Sequence, residues 1–140
     1  MRQIVIATHT HLAAGLAEAV TVLAGEHGNV RVLNLFVDGE DDVAAAARRV
    51  IDQTPSGDDL VVCTDLLGGS VNNEFAKLAQ IDPRILLVTN ANLPVVLQLV
   101  LAAGDEPTVE LVRQVVSAEE SRPVLVNDLL VAESDGEDEF

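Results

Sequence analysis

The chain of 140 residues has no tryptophan, no tyrosine and only three phenylalanines. Stacking platforms for single-stranded nucleic acid are built from such rings, so that class of function is excluded. Basic side chains are scarce as well. Eight lysines and arginines face 23 acidic residues, for a formal net charge of −15. A phosphate backbone needs a basic patch, so no nucleic-acid partner is expected. Cys63 is the single cysteine. It allows no internal disulfide and no thiolate metal cluster. Its setting, Leu60-Val-Val-Cys-Thr64, suits a small buried hydrophobe. No apolar run approaches the roughly 20 residues that cross a bilayer. The first residues lack the layout of a cleaved signal, so a cytoplasmic protein is expected.

Apolar residues make up 49% of the chain, enough for one domain with its own core. Four β-branched or leucine-rich runs read as strands: Ile4–Thr8, Val30–Phe36, Leu60–Thr64 and Ile85–Thr89. Continuous runs of this kind suit strands buried on both faces of a parallel sheet. Between them lie helical patterns. Leu12, Leu16, Ala19, Val20 and Leu23 recur at three- and four-residue spacing, and Gly25 stops them. The segment from Asp41 to Ile51 places acids first and arginines later, matching the helix dipole. Ser70 to Leu78, Pro94 to about Ala103 and Val109–Ser117 complete the helices. Such alternation implies an α/β fold: an open, mostly parallel, doubly wound sheet with right-handed crossovers. The domain is expected over residues 1–131. Residues 132–140 are expected as an acidic, disordered tail.

Sites in open parallel sheets form at the carboxyl ends of the strands, where strand order reverses. His9 follows the first strand, Asp38-Gly39 the second, Asp65-Leu-Leu-Gly-Gly-Ser70 the third and Asn90-Ala-Asn-Leu-Pro94 the fourth. A strand order of 2-1-3-4 puts the reversal between the first and third strands, bringing His9 beside Asp65. A carboxylate next to imidazole accepts a proton from one ring nitrogen and leaves the other as nucleophile. Helix N-termini after His9 and Gly69 would present N–H groups to an anion. Gly68 and Gly69 let backbone approach closely, and Ser70 offers a hydroxyl. Taken singly, each feature has a plainer reading. A strand-end histidine is a turn or cap residue, the aspartate caps a helix, and Gly-Gly-Ser is a turn. Their placement on one sheet edge favours a nucleophilic histidine facing a phosphate cradle. His11 is assigned a capping or rim role, and His27 a solvated turn.

The motifs Ile4-Val-Ile-Ala-Thr-His9, Asp65-Leu-Leu-Gly-Gly-Ser70-Val-Asn-Asn73 and Asn90-Ala-Asn-Leu-Pro94 resemble the mannose-type (mannose/fructose/sorbose) enzyme IIA domain of the bacterial phosphoenolpyruvate-dependent sugar phosphotransferase system (PTS). The resemblance covers about residues 1 to 131. It implies a phosphocarrier whose histidine, here His9, takes a phosphoryl group from phospho-HPr and passes it to a IIB component. Asp65 matches the aspartate that orients that histidine. Thr8, Thr10, Gly68, Gly69 and Ser70 form the active-site loops, with His11, Asn73 and Asn92 at the rim. The resemblance implies no metal and no cofactor. It implies a homodimer with sheet order 2-1-3-4 and a C-terminal antiparallel strand exchanged between subunits, here Val124–Val131. It implies indirect association with membrane IIC and IID components, and a IIB carried on another chain. Thr10 departs from the family, which often has glycine there. The rival readings are the phosphotransfer subunit of a dihydroxyacetone kinase, and a non-catalytic regulatory module of the same fold. A receiver-like domain would want clustered acids at the ends of the first and third strands, and Thr8-His9 does not supply them.

Overall fold

A computed structural model describes residues 1–137. Four strands, β1 (Arg2–His9), β2 (Val30–Leu35), β3 (Asp59–Thr64) and β4 (Ile85–Val88), form one all-parallel sheet in the order β2-β1-β3-β4. This is the order that the family resemblance implies. The reversal lies between β1 and β3, so the carboxyl ends of these two central strands lie side by side.

Alternation along the strands divides the core into two layers. Ile4, Ile6, Val61, Cys63 and Val88 point to one face. There they meet Ala13 and Val20 of α1 (Leu12–Ala24), Val96 and Leu99 of α4 (Leu93–Leu101), and Leu111 and Val115 of α5 (Thr108–Ser117). Val5, Ala7, Leu35, Leu60 and Val62 point to the other face. They pack on Val43, Ala46, Ala47 and Val50 of α2 (Val43–Asp52) and on Val71 and Phe75 of α3 (Ser70–Ala79). Burying both faces explains why β1 and β3 read as unbroken apolar runs. Burial pushes the Cys63 thiol up to about 12, so it packs and does not react. No helix among the described residues is long and apolar enough to cross a membrane.

The C-terminal segment differs from the expected strand. After a short 3-10 turn (Glu119–Ser121), the chain forms α6 (Val126–Glu137). The physical reason is local. The segment does not pair with the free edge of β4, and as a helix it satisfies its backbone hydrogen bonds internally. Asn127 and Asp128 also break any two-residue alternation across Val124–Val131. Val124, Leu125, Val126, Leu129, Leu130 and Val131 are all more than half exposed. Residues 132–137, expected to begin the acidic tail, continue this helix, and 138–140 lie outside the described residues.

Candidate active site

β1 delivers His9 to the sheet edge, and the residue after β3 is Asp65. The ring Nδ1 of His9 lies 3.0 Å from Asp65 Oδ2. The backbone N–H of His9 donates to the same oxygen at 3.1 Å. A carboxylate held by a backbone donor cannot swing away, so the ring it touches is aligned as well. Charge complementarity makes Nδ1 the protonated nitrogen, donating to the carboxylate. Nε2 then keeps its lone pair. The His9 side chain is 37% exposed and that of Asp65 only 11%. The imidazole faces solvent while the carboxylate beside it is sheltered. The second carboxylate oxygen, Oδ1, is buried without a protein partner.

Two further groups bound the imidazole. Gly69 abuts its Cε1, the carbon between the two ring nitrogens. A β-carbon at Gly69 would stand 3.4 Å from that atom, at van der Waals contact with the ring. On the open face, the Phe36 ring stacks on His9 with centroids 5.4 Å apart and planes 24° apart. Phe36 has left the strand at φ 65°, an uncommon conformation for a bulky residue. Such a residue costs on the order of 1–3 kcal/mol, which surrounding contacts must offset. Thr10 (φ 53°) and Asp38 (φ 55°) share this left-handed backbone, and Thr10 N–H donates to Leu35 O at 2.8 Å. Glycine is therefore not required at position 10 for the turn to form.

The two helix ends beside the site are not equivalent. At the start of α1, Thr8 Oγ1 accepts from Ala13 N–H at 2.7 Å, and Asn34 Oδ1 accepts from Ala14 N–H at 3.2 Å. Two of its amide groups are thus already satisfied, and Thr8 is a buried capping residue rather than a ligand contact. At the start of α3 no side chain caps the helix, and Ser70 is exposed. The start of α3 thus offers its amide groups without a capping side chain, while two of those of α1 are already taken. Asn73 Nδ2 donates to Gly68 O at 3.3 Å and shapes the preceding turn, where Gly68 stands at φ 79°. Behind this, Thr64 Oγ1 donates to Asn72 Oδ1 at 3.0 Å and ties α3 to β3.

Not every residue singled out from sequence joins this cluster. Asn92 accepts from Val95 N–H at 3.0 Å as the cap of α4, and its Nδ2 donates to Ser121 O at 2.8 Å. Neither bond reaches His9. Its neighbour Asn90 does support the site, accepting weakly from Leu67 N–H at 3.4 Å. His11 occupies the cap position of α1 without capping it, and its Nε2 lies 2.9 Å from Asp38 Oδ2. His27 donates to Ala24 O at 3.1 Å, at the other end of α1. Phe36 and Asn34 escape a sequence reading, while Asn72 and Asn90 lie within the quoted motifs without an assigned role. Phe36 passes for a strand residue, although the Asp38-Gly39 turn just beyond it marks the same edge. Among the described residues no three His, Cys, Asp or Glu side chains converge as metal ligands.

Residues 3–116 match the sequence model of the EIIA-man family, described as the PTS system fructose IIA component. Solved structures share the fold across nearly the whole chain. A candidate phosphoenolpyruvate-dependent PTS permease from Klebsiella pneumoniae is 27% identical, with a TM-score of 0.84 over 92% of this chain and 93% of its own. The PTS component EIIA from Streptococcus agalactiae is 26% identical, with a TM-score of 0.79 over 91% of this chain and 99% of its own. A PTS IIA protein associated with the fucose utilization operon of Streptococcus pneumoniae is 25% identical, with a TM-score of 0.79 over 92% of this chain and 96% of its own.

Proposed function

The chain belongs to the EIIA-man family of PTS IIA components, and from that premise we propose that His9 is its phosphoryl acceptor, loaded by phospho-HPr and unloaded to a IIB component. The observation that carries this reading is the shared Asp65 oxygen, which takes both N–H groups of His9 and leaves Nε2 open. In the forward step the Nε2 lone pair forms a bond to phosphorus. The bond from phosphorus to the donor histidine of HPr breaks, and the electron pair returns to that ring. His9 keeps its Nδ1 proton, so its ring gains positive charge, which the Asp65 carboxylate favours. Gly69 and the uncapped start of α3 receive the phosphoryl oxygens, with the Ser70 hydroxyl as a further donor. Thr10 and Asn73 hold the backbone of the two loops. The return step to IIB uses the same atoms in reverse. No metal or cofactor enters this chemistry.

We favour a sugar-PTS carrier over a dihydroxyacetone kinase subunit, a reading supported by a PTS IIA relative from a fucose utilization operon. Its membrane partners IIC and IID would be reached only through IIB. Two features support a homodimer. β4 is an edge strand, and six apolar side chains between Val124 and Val131 lie exposed. A second copy would cover this surface. The carrier reading is tested by incubating the chain with phosphoenolpyruvate, enzyme I and HPr. Labelling of the wild type and none of His9→Ala is expected. Equal labelling of the variant excludes His9.

A further inference from the structure

The geometry points to Phe36 as a positioning residue for His9, its ring keeping the imidazole in the plane that aims Nε2 at phosphorus. This rests on the phosphocarrier reading, since a histidine that transfers nothing has no use for an aligned Nε2. The Asp65 contact alone leaves one freedom. The ring can still tilt about the Nδ1–Oδ2 line, and tilting carries the Nε2 lone pair away from the incoming group. A flat ring against the face opposes that tilt. The centroid separation of 5.4 Å and the 24° angle fall within the range of offset aromatic stacks. Burial does not explain the placement, because Phe36 is 40% exposed.

The loop that carries Phe36 is built to keep it there. Phe36 N–H donates to Glu40 O at 2.8 Å and closes the turn. Asp38, within that turn, pairs with His11 at 2.9 Å and ties it to the start of α1. This gives His11 a part: it meets the Phe36 loop through a solvent-exposed pair with Asp38. The π face of Phe36 also favours the positive charge that the imidazole gains on phosphorylation.

Phosphoramidate gives a test that needs no protein partner. The Nε2 lone pair forms the N–P bond while the bond from phosphorus to departing ammonia breaks. Rates of His9 phosphorylation by phosphoramidate and by phospho-HPr are compared for wild type, Phe36→Leu and Phe36→Tyr. Leucine keeps apolar bulk without the flat ring, and tyrosine keeps the ring. Phe36→Leu is expected to slow both reactions by about three- to tenfold, with Phe36→Tyr near wild type. The His9 Hε1 proton resonance is expected to lose its ring-current shift in Phe36→Leu and to keep it in Phe36→Tyr. Wild-type rates in Phe36→Leu, or an equal loss in Phe36→Tyr, overturn the inference. If phospho-HPr labels no form, the carrier reading fails by itself. The phosphoramidate rates still decide whether Phe36 governs Nε2.

Discussion

The backbone N–H and the ring Nδ1 of His9 converge on a single oxygen of Asp65, at 3.1 and 3.0 Å. The two residues are far apart in sequence but follow neighbouring parallel strands. Their meeting is a direct consequence of the strand order. One carboxylate thereby fixes both where the histidine backbone sits and which ring nitrogen is free.

Asp65→Asn preserves this shape and removes the charge. An amide oxygen still accepts from the backbone, so the thermal midpoint should stay near that of the wild type. It no longer compensates a positive imidazole. Phosphoryl transfer to His9 is expected to fall by on the order of 10²-fold or more, the scale of a lost proton-managing partner. Single-turnover transfer from phospho-HPr measures it, and a wild-type rate would show that the carboxylate charge has no part.

Asn92→Ala should behave in the opposite way. It removes the cap of α4 and the bond to Ser121 O, which join α4 to the turn before the C-terminal segment. A loss of about 1–2 kcal/mol in stability is expected from the missing cap. Transfer rate should be unchanged at temperatures where the variant is folded. Urea denaturation beside a transfer assay separates the two effects, and a slow but fully stable variant would return Asn92 to the site.

These two residues show what the sequence makes legible. Apolar runs separated by helical periods point to a mostly parallel sheet, and the 2-1-3-4 order that the family resemblance implies brings His9 to Asp65 at the strand ends. Asn92 stands just before Leu93-Pro94, a pattern equally suited to a helix cap and to a site rim. Only the partners of its side chain decide. Phe36 is hidden for another reason: one residue of left-handed backbone turns an apparent strand position into a lid over imidazole. The segment Val124–Val131 is ambiguous because its apolar residues fit a strand only when a neighbouring edge is supplied.

Stability at acid pH should depend on Asp82. Arg84 binds it through side-chain and backbone N–H groups and holds its carboxyl below the usual carboxylate range. A carboxyl depressed in the folded state adds stability above its unfolded value of about 3.9. That contribution is lost as pH falls through the folded value. Asp82→Asn should therefore be less stable than wild type at neutral pH, with the gap closing below about pH 4. Midpoints measured from pH 7 to 3 check this, and a gap that widens on acidification would contradict it.

Truncation after Pro123 tests the association surface. It removes the exposed apolar residues Val124 to Val131 while leaving the sheet and its covering helices intact. The full chain is expected as a dimer by light scattering, and the truncated chain as a monomer. An unchanged dimer would place the interface elsewhere.

The central claim is that the phosphoryl group resides on Nε2 of His9. The chain phosphorylated by phosphoenolpyruvate, enzyme I and HPr can be labelled with ¹⁵N in its histidines and followed by ³¹P–¹⁵N correlation. One phosphohistidine is expected, at His9, with phosphorus coupled to Nε2 and the proton retained on Nδ1. Phosphorus on Nδ1 of His9, on His11 or on His27 would contradict the role assigned to Asp65.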